Sequence, residues 1–301
     1  MKKSLLVMFF MTVCLFSAFC AKSKSKAKSQ PTPEPKTAVF TTDMFNEALS
    51  GIETSIEEPF IYQKATVNDT DFNFIIDLTK WNKNTSVEQI IMISKLFWQC
   101  YPAMYKRFGE ILFSPEDIFL AIEDEGYEVA WNSGNLVHLH DKWLKDNPTD
   151  YDCLTHEFAH AIQDEWLEQY LEYDGYIERF ADYCRYIYAY NNGYFNDNGW
   201  TLWTPENESS RETSVRFLVW LDTFYSTTDN DIIFRYANVA RNGHYSRDSW
   251  DRAWKKIFKG SALEGKSIDE VWALYTKSDF AWIPSHAEQG EISELRAMLK
   301  R

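Results

Sequence analysis

The chain has 301 residues, 17% of them aromatic, with 31 Lys and Arg against 45 Asp and Glu. Residues 1–36 hold seven of the basic residues and one of the acidic ones, leaving 24 basic against 44 acidic in the remainder, a net −20. That excess argues against nucleic acid as a partner, because phosphate contacts need a basic face.

At the N-terminus, Lys2 and Lys3 precede an apolar run over 5–19 and small residues at Ala18 and Ala21. The run falls short of the roughly 18–20 apolar residues that cross a bilayer, so a secretory signal over 1–20 and an exported protein are expected. An uncleaved anchor is the alternative. Cys20, just after the run, also offers a lipid attachment point and so a membrane tether, although Phe19 stands where such signals usually carry a small residue. Residues 21–36 are Lys, Ser, Ala, Pro and little else, a composition that buries no apolar surface and reads as a solvated tether. The folded domain is expected over 37–285, with a tail over 286–301. Roughly 260 residues are ample for one large core. Cys100, Cys153 and Cys184 are odd in number and widely spaced, which suits buried free thiols better than a disulfide framework.

Within the domain, 71–78 (DFNFIIDL) reads as a strand, 87–108 as a long helix and 118–122 as a short buried strand. In 126–140, β-branched and aromatic residues surround a turn at Asn132-Ser133-Gly134-Asn135, which predicts an extended edge segment or a hairpin. From Tyr151 onward the patterns are helical. Strands with one helix first and helices later argue an α+β domain with its site between a sheet lobe and a helical lobe.

The sequence His156-Glu157-Phe158-Ala159-His160 sits in the first of those later helices. Residues four apart share a helix face, so both imidazoles are able to meet one metal ion with Glu157 beside them. Leu154, Phe158, Ala161 and Ile162 gather on the opposite, core-facing side. Zinc suits two neutral imidazoles plus a carboxylate, with a fourth position left for water and Glu157 as the base. Glu178 and Asp182 repeat the spacing on a later helix whose other side carries Ile177, Phe180, Cys184 and Ile187. An antiparallel packing brings Glu178 to the metal as third ligand and lets Asp182 accept a hydrogen bond from a ligating histidine. The reverse assignment of the two carboxylates stays open, and Asp164, Glu165, Glu168 and Glu172 are candidates by chemistry alone. The pattern HExxHxxGxxH is excluded, because Gln163 and Trp166 stand where it needs Gly and His.

Five stretches in order carry a resemblance to the plant basic secretory protein family of zinc peptidases and its bacterial relatives. They are 121–139 (AIEDEGYEVAWNSGNLVHL), 154–163 (LTHEFAHAIQ), 176–185 (YIERFADYCR), 213–218 (TSVRFL) and 243–250 (GHYSRDSW). The resemblance covers roughly residues 70–280 and implies a zincin-like fold: a small N-terminal mixed sheet, an edge strand above the active-site helix, and a helical C-terminal lobe. It implies that a peptide or protein substrate is held along the edge strand at 127–139 by strand addition, and that a glutamate completes the zinc site. The chain departs from the family at Arg179, where a small residue is usual, at Arg211 and Glu212, where an aromatic and an acid are common, and in its acidic charge.

Peptide hydrolysis also needs a donor for the oxyanion. Tyr245 and Arg216 are the candidates, with His244 third. His138 and His140 alternate on one strand face and read as subsite or surface positions. The expected function is an exported zinc metallopeptidase. The alternatives are a surface-tethered binding protein that has lost turnover, and a zinc amidase acting on cell-wall material.

Overall fold

Short turns with strong local preferences shape the first half of the chain. The computed structural model describes residues 40–109, 114–124, 129–163, 175–188, 214–242 and 247–282, all within one compact unit, Ala38–Arg301. The expected signal, tether and C-terminal tail lie outside the described residues. After α1 (Thr42–Ala48), strands β1 (Glu53–Glu57), β2 (Phe60–Val67) and β3 (Thr70–Asp77) form an antiparallel meander. The β2–β3 turn has Asn68 and Asp69 at φ of 51° and 65°, the left-handed pair that a two-residue type I′ hairpin demands.

Ser86 opens α2 (Val87–Met104) with a capping box, its hydroxyl accepting from the Gln89 N–H while the Gln89 side chain accepts from the Ser86 N–H. The helix runs on through a π turn at Tyr105–Gly109, in keeping with the long helix expected over 87–108. The chain then enters β4 (Asp117–Glu123), parallel to β3. Strands β5 (Ala130–Ser133) and β6 (Leu136–His140) form the hairpin read from the sequence, turning at Gly134 with φ 61°. The sheet order β1-β2-β3-β4-β6-β5 is mixed, and the fold is α+β. The expected edge strand over 127–139 needs correction: β6 is paired on both sides, because its hydrogen-bonding edges meet β4 and β5, and of this hairpin only β5 is at the border.

Past β6, every described regular element is a helix: α3 (Trp143–Asp146), α4 (Cys153–Gln163), α5 (Gly175–Tyr188), α6 (Val215–Tyr225), α7 (Ile232–Asn242), α8 (Arg247–Ile257) and α9 (Ile268–Thr276), then a 3-10 turn at Asp279–Trp282. No described helix is long and apolar enough to cross a membrane. One sheet face supplies Phe72, Phe74, Ile76, Ile118, Leu120, Ile122, Val137 and Leu139 to the core. Phe74 stacks on Phe97 of α2 at 4.1 Å between ring centroids, and Phe158 of α4 closes the group edge-on at 6.0 and 5.4 Å from them. Leu154, Phe158, Ala161 and Ile162 are fully buried as expected. Burial of a Leu, Ile or Phe side chain contributes about 1.5–3 kcal/mol, so the core fixes the rotation of α4 and with it the direction of the opposite, polar face. Cys100, Cys153 and Cys184 are buried, and none of the three is in a disulfide.

Candidate metal centre

Three cross-links hold α4 against α5. Arg185 donates to Asp150, just before α4, at 2.6 Å; His156 Nδ1 meets Asp182 Oδ1 at 2.8 Å; and Gln163 Nε2 donates to the Ile177 carbonyl at 3.3 Å. Residue numbers rise on one side as they fall on the other, so the helices are antiparallel, as their spacing predicts. The pairing sets Glu178 opposite the gap between His156 and His160.

There the ligand atoms converge. His156 Nε2 lies 3.1 Å from Glu178 Oε2 and 3.0 Å from His160 Nε2, and His160 Nε2 lies 3.6 Å from Glu178 Oε1. Zinc bonds of about 2.0–2.2 Å at tetrahedral angles give ligand-to-ligand edges of about 3.3–3.6 Å, close to this spacing. The three residues are the one group among the described residues with such donors gathered closely enough to hold a metal ion. The histidine side chains are 14% and 16% exposed and Glu178 is 54% exposed, so the centre is open on the side of Glu178.

The hydrogen bonds settle which ring nitrogens face the gap. A carboxylate only accepts, so His156 Nδ1 donates to Asp182. His160 Nδ1 sits 2.9 Å from Gln163 Oε1, and the Gln163 amide cannot be turned round, because its oxygen would then face the Ile177 carbonyl. When both rings are neutral, they therefore aim Nε2 lone pairs at each other and at the Glu178 carboxylate. Three acceptors so placed repel one another unless a cation lies among them. Burial alone lowers the pKa of His156, but Asp182 and Glu178 outweigh it and raise the pKa to about 10. Where a ring is protonated, its Nε2–H donates to Glu178, and these bonds, from His156 first and His160 next, hold the Glu178 carboxyl well below the usual carboxylate range. A proton on His156 relieves one contact; a divalent ion relieves all three, so the donor set fits zinc.

No protein-family model, curated protein or solved structure matches the chain. The reading of the centre therefore stands on its chemistry.

Glu157 is half-buried beside His156, and among the described residues its carboxylate makes no hydrogen bond or ion pair. The sheet lies close by, for both β5 and β6 pack on α4. The His140 N–H donates to the Val129 carbonyl at 2.9 Å, and hydrogen-bonded pairs alternate along an antiparallel ladder. Trp131 and Ser133 thus turn their backbone groups toward β6, while Ala130 and Asn132 turn theirs to the free edge.

Arg216 is fully buried in α6, its guanidinium 5.7 Å from the Phe280 ring centroid. Tyr245, His244, Asp164, Glu165, Glu168, Glu172, Arg211 and Glu212 lie outside the described residues. His138 stacks flat on Trp131 at 3.8 Å and bonds Glu123 at 2.5 Å, whereas His140 meets Asp124 at 3.2 Å. Arg179 points away from the centre, buried with its guanidinium 5.6 Å from the Tyr236 ring centroid. Gln163 as partner of His160 was missed by sequence reasoning, since a glutamine three residues after a histidine carries no motif.

Proposed function

We propose that the protein is a zinc-dependent peptidase, with His156, His160 and Glu178 as ligands and Glu157 as general base. The observation that carries the reading is the convergence of three acceptor atoms at 3.0–3.6 Å, with both histidine Nδ1 atoms committed to fixed acceptors. A zinc ion in this centre supplies a Lewis acid and lowers the pKa of a water molecule from about 16 toward about 7. Glu157 takes the proton of the attacking water and hands it to the departing amine. Asp182 and Gln163 keep the two imidazoles aimed at the centre throughout.

The outer edge of β5 suits an extended peptide, because among the described residues no strand pairs with the outward backbone groups of Ala130 and Asn132, and strand addition needs no particular side chain. Two of the five stretches that resemble the basic secretory proteins, 154–163 and 176–185, lie on the helices that build the centre, which supports a zincin-like fold and a place in that family. An N-terminal export signal agrees with action outside the cytoplasm.

Elemental analysis of metal-free protein reconstituted with zinc, followed by incubation with a diverse peptide library with and without chelator, tests the proposal. One zinc per chain and chelator-sensitive cleavage are expected. A chain that takes up no zinc overturns the metal reading; one that binds zinc yet cleaves no peptide overturns the peptidase.

A further inference from the structure

The two ligating histidines are held by different chemistry, an anionic carboxylate for one and a neutral amide for the other. Gln163 is the last residue of α4 and only 4% exposed. Its Oε1 accepts from His160 Nδ1 at 2.9 Å, and its Nε2 donates to the carbonyl of Ile177 at 3.3 Å, the residue directly before Glu178. One amide thus bridges a ligand on α4 to the backbone that carries a ligand on α5.

We infer that Gln163 is a positioning residue of the centre: it fixes His160 with Nε2 toward the metal and keeps α4 and α5 in register at the level of Glu178. The inference rests on the zinc reading. The physical reason is the asymmetry of the amide. Its donor end is committed to a carbonyl, so its acceptor end must face His160, and only the Nδ1–H form of the ring satisfies that oxygen. Without the bond the neutral ring is free to take the other tautomer or to rotate, and either costs metal affinity before any ligand is lost. Unlike Asp182, the amide adds no negative charge, so His160 is oriented without making the centre more anionic.

The test uses the full chain with zinc and with cobalt(II), in wild type, Gln163→Met and Gln163→Glu. Zinc affinity is measured by competition with a chromophoric chelator, the cobalt ligand field by visible absorption, and folding by the melting temperature of the metal-free form. Methionine keeps the volume but accepts no such bond, so zinc affinity is expected to fall about 10- to 100-fold, as for loss of an outer partner of a ligating histidine, with a changed cobalt spectrum. Glutamate keeps an acceptor for Nδ1 but sets its other oxygen against the Ile177 carbonyl, so its zinc affinity is expected to fall only about 3- to 10-fold, less than for Gln163→Met, with the cobalt spectrum of wild type. A merely structural role lowers the melting temperature of Gln163→Met and leaves affinity and spectrum unmoved, and that result overturns the inference. So does a Gln163→Glu variant that binds zinc more than tenfold weaker than wild type, an arm that decides alone should Gln163→Met fail to fold. If the wild type itself takes up neither metal, the zinc reading falls and this inference with it; a wild type that binds while the variants match it removes the role of Gln163 alone.

Discussion

The two carboxylates on α5 are separable by a single comparison of zinc affinity. Glu178 reaches both Nε2 atoms, whereas Asp182 touches His156 only through Nδ1 at 2.8 Å. Asp182→Ala removes one charge-assisted hydrogen bond and leaves every ligand in place. Loss of such a partner typically weakens metal binding about 10- to 100-fold, or about 1.4–2.7 kcal/mol at about 1.4 kcal/mol per decade. A charge-assisted bond is about twice as strong as a neutral one, so Asp182→Asn, which keeps an acceptor oxygen, should lose half that free energy and about 3- to 10-fold in affinity. Glu178→Ala deletes a direct ligand and should fall well beyond 100-fold. The predicted order is therefore wild type, Asp182→Asn, Asp182→Ala, then Glu178→Ala, read from chelator competition at fixed pH. If Asp182→Ala abolished binding while Glu178→Ala left it nearly intact, the two roles would have to be exchanged. Equal affinity in all four proteins would refute the centre itself.

Glu157→Gln should keep zinc, fold and melting temperature but lose about 10²- to 10⁴-fold in turnover, because glutamine keeps the size and cannot accept the proton; turnover and zinc content on one preparation check it. Arg107, 5% exposed, holds Asp222 and Asp231 at 2.7 Å each and leaves Asp222 fully buried without its cation when removed, so Arg107→Met should destabilise the fold by about 3–5 kcal/mol in denaturant titration. In metal-free protein, the raised pKa of His156 predicts stability that is complete below the unfolded value of 6.5 and lost as pH rises through about 10. Metal-free wild type should thus lose its stability advantage over metal-free His156→Gln across that window, and a constant difference in melting temperature from pH 6 to 10 would contradict the sign.

The helices were legible because their periodicity and chemistry agree. On α4 the apolar residues Leu154, Phe158, Ala161 and Ile162 and the polar group His156, Glu157 and His160 occupy opposite faces, and the same division holds for Phe180, Cys184 and Ile187 against Glu178 and Asp182. Strands β1 and β2 escaped notice for a physical reason. Their core-facing positions include Thr54 and Gln63, paired across the two strands, so hydrophobicity does not alternate along them. Gln63 is buried at 1% exposure because α2 satisfies it: Nε2 donates to Ser94 Oγ at 3.1 Å and Oε1 accepts from Trp98 Nε1 at 2.9 Å. Those partners are 31 and 35 residues away, and no local pattern announces them. Arg216 shows a different ambiguity, since a lone arginine in a helix signals chemistry and burial against an aromatic ring equally well.

The same distinction explains why the centre divides into parts of unequal legibility. Ligands repeat at i and i+4 because one helix turn is the spacing at which two side chains meet one ion. Their supports obey no such rule: Asp182 is 26 residues from His156, and Gln163 bonds a backbone carbonyl 14 residues on. What ties these supports together is the antiparallel seam of α4 and α5, pinned at Asp150–Arg185, His156–Asp182 and Gln163–Ile177. None of the three pins requires a metal ion to form. The seam therefore pre-arranges the acceptors, and Leu154, Phe158 and Phe180, all fully buried in the core, hold the two helices that carry them. A centre built in this way selects its occupant by charge and spacing, which is why the surrounding helices carry the argument for zinc as much as the ligands do.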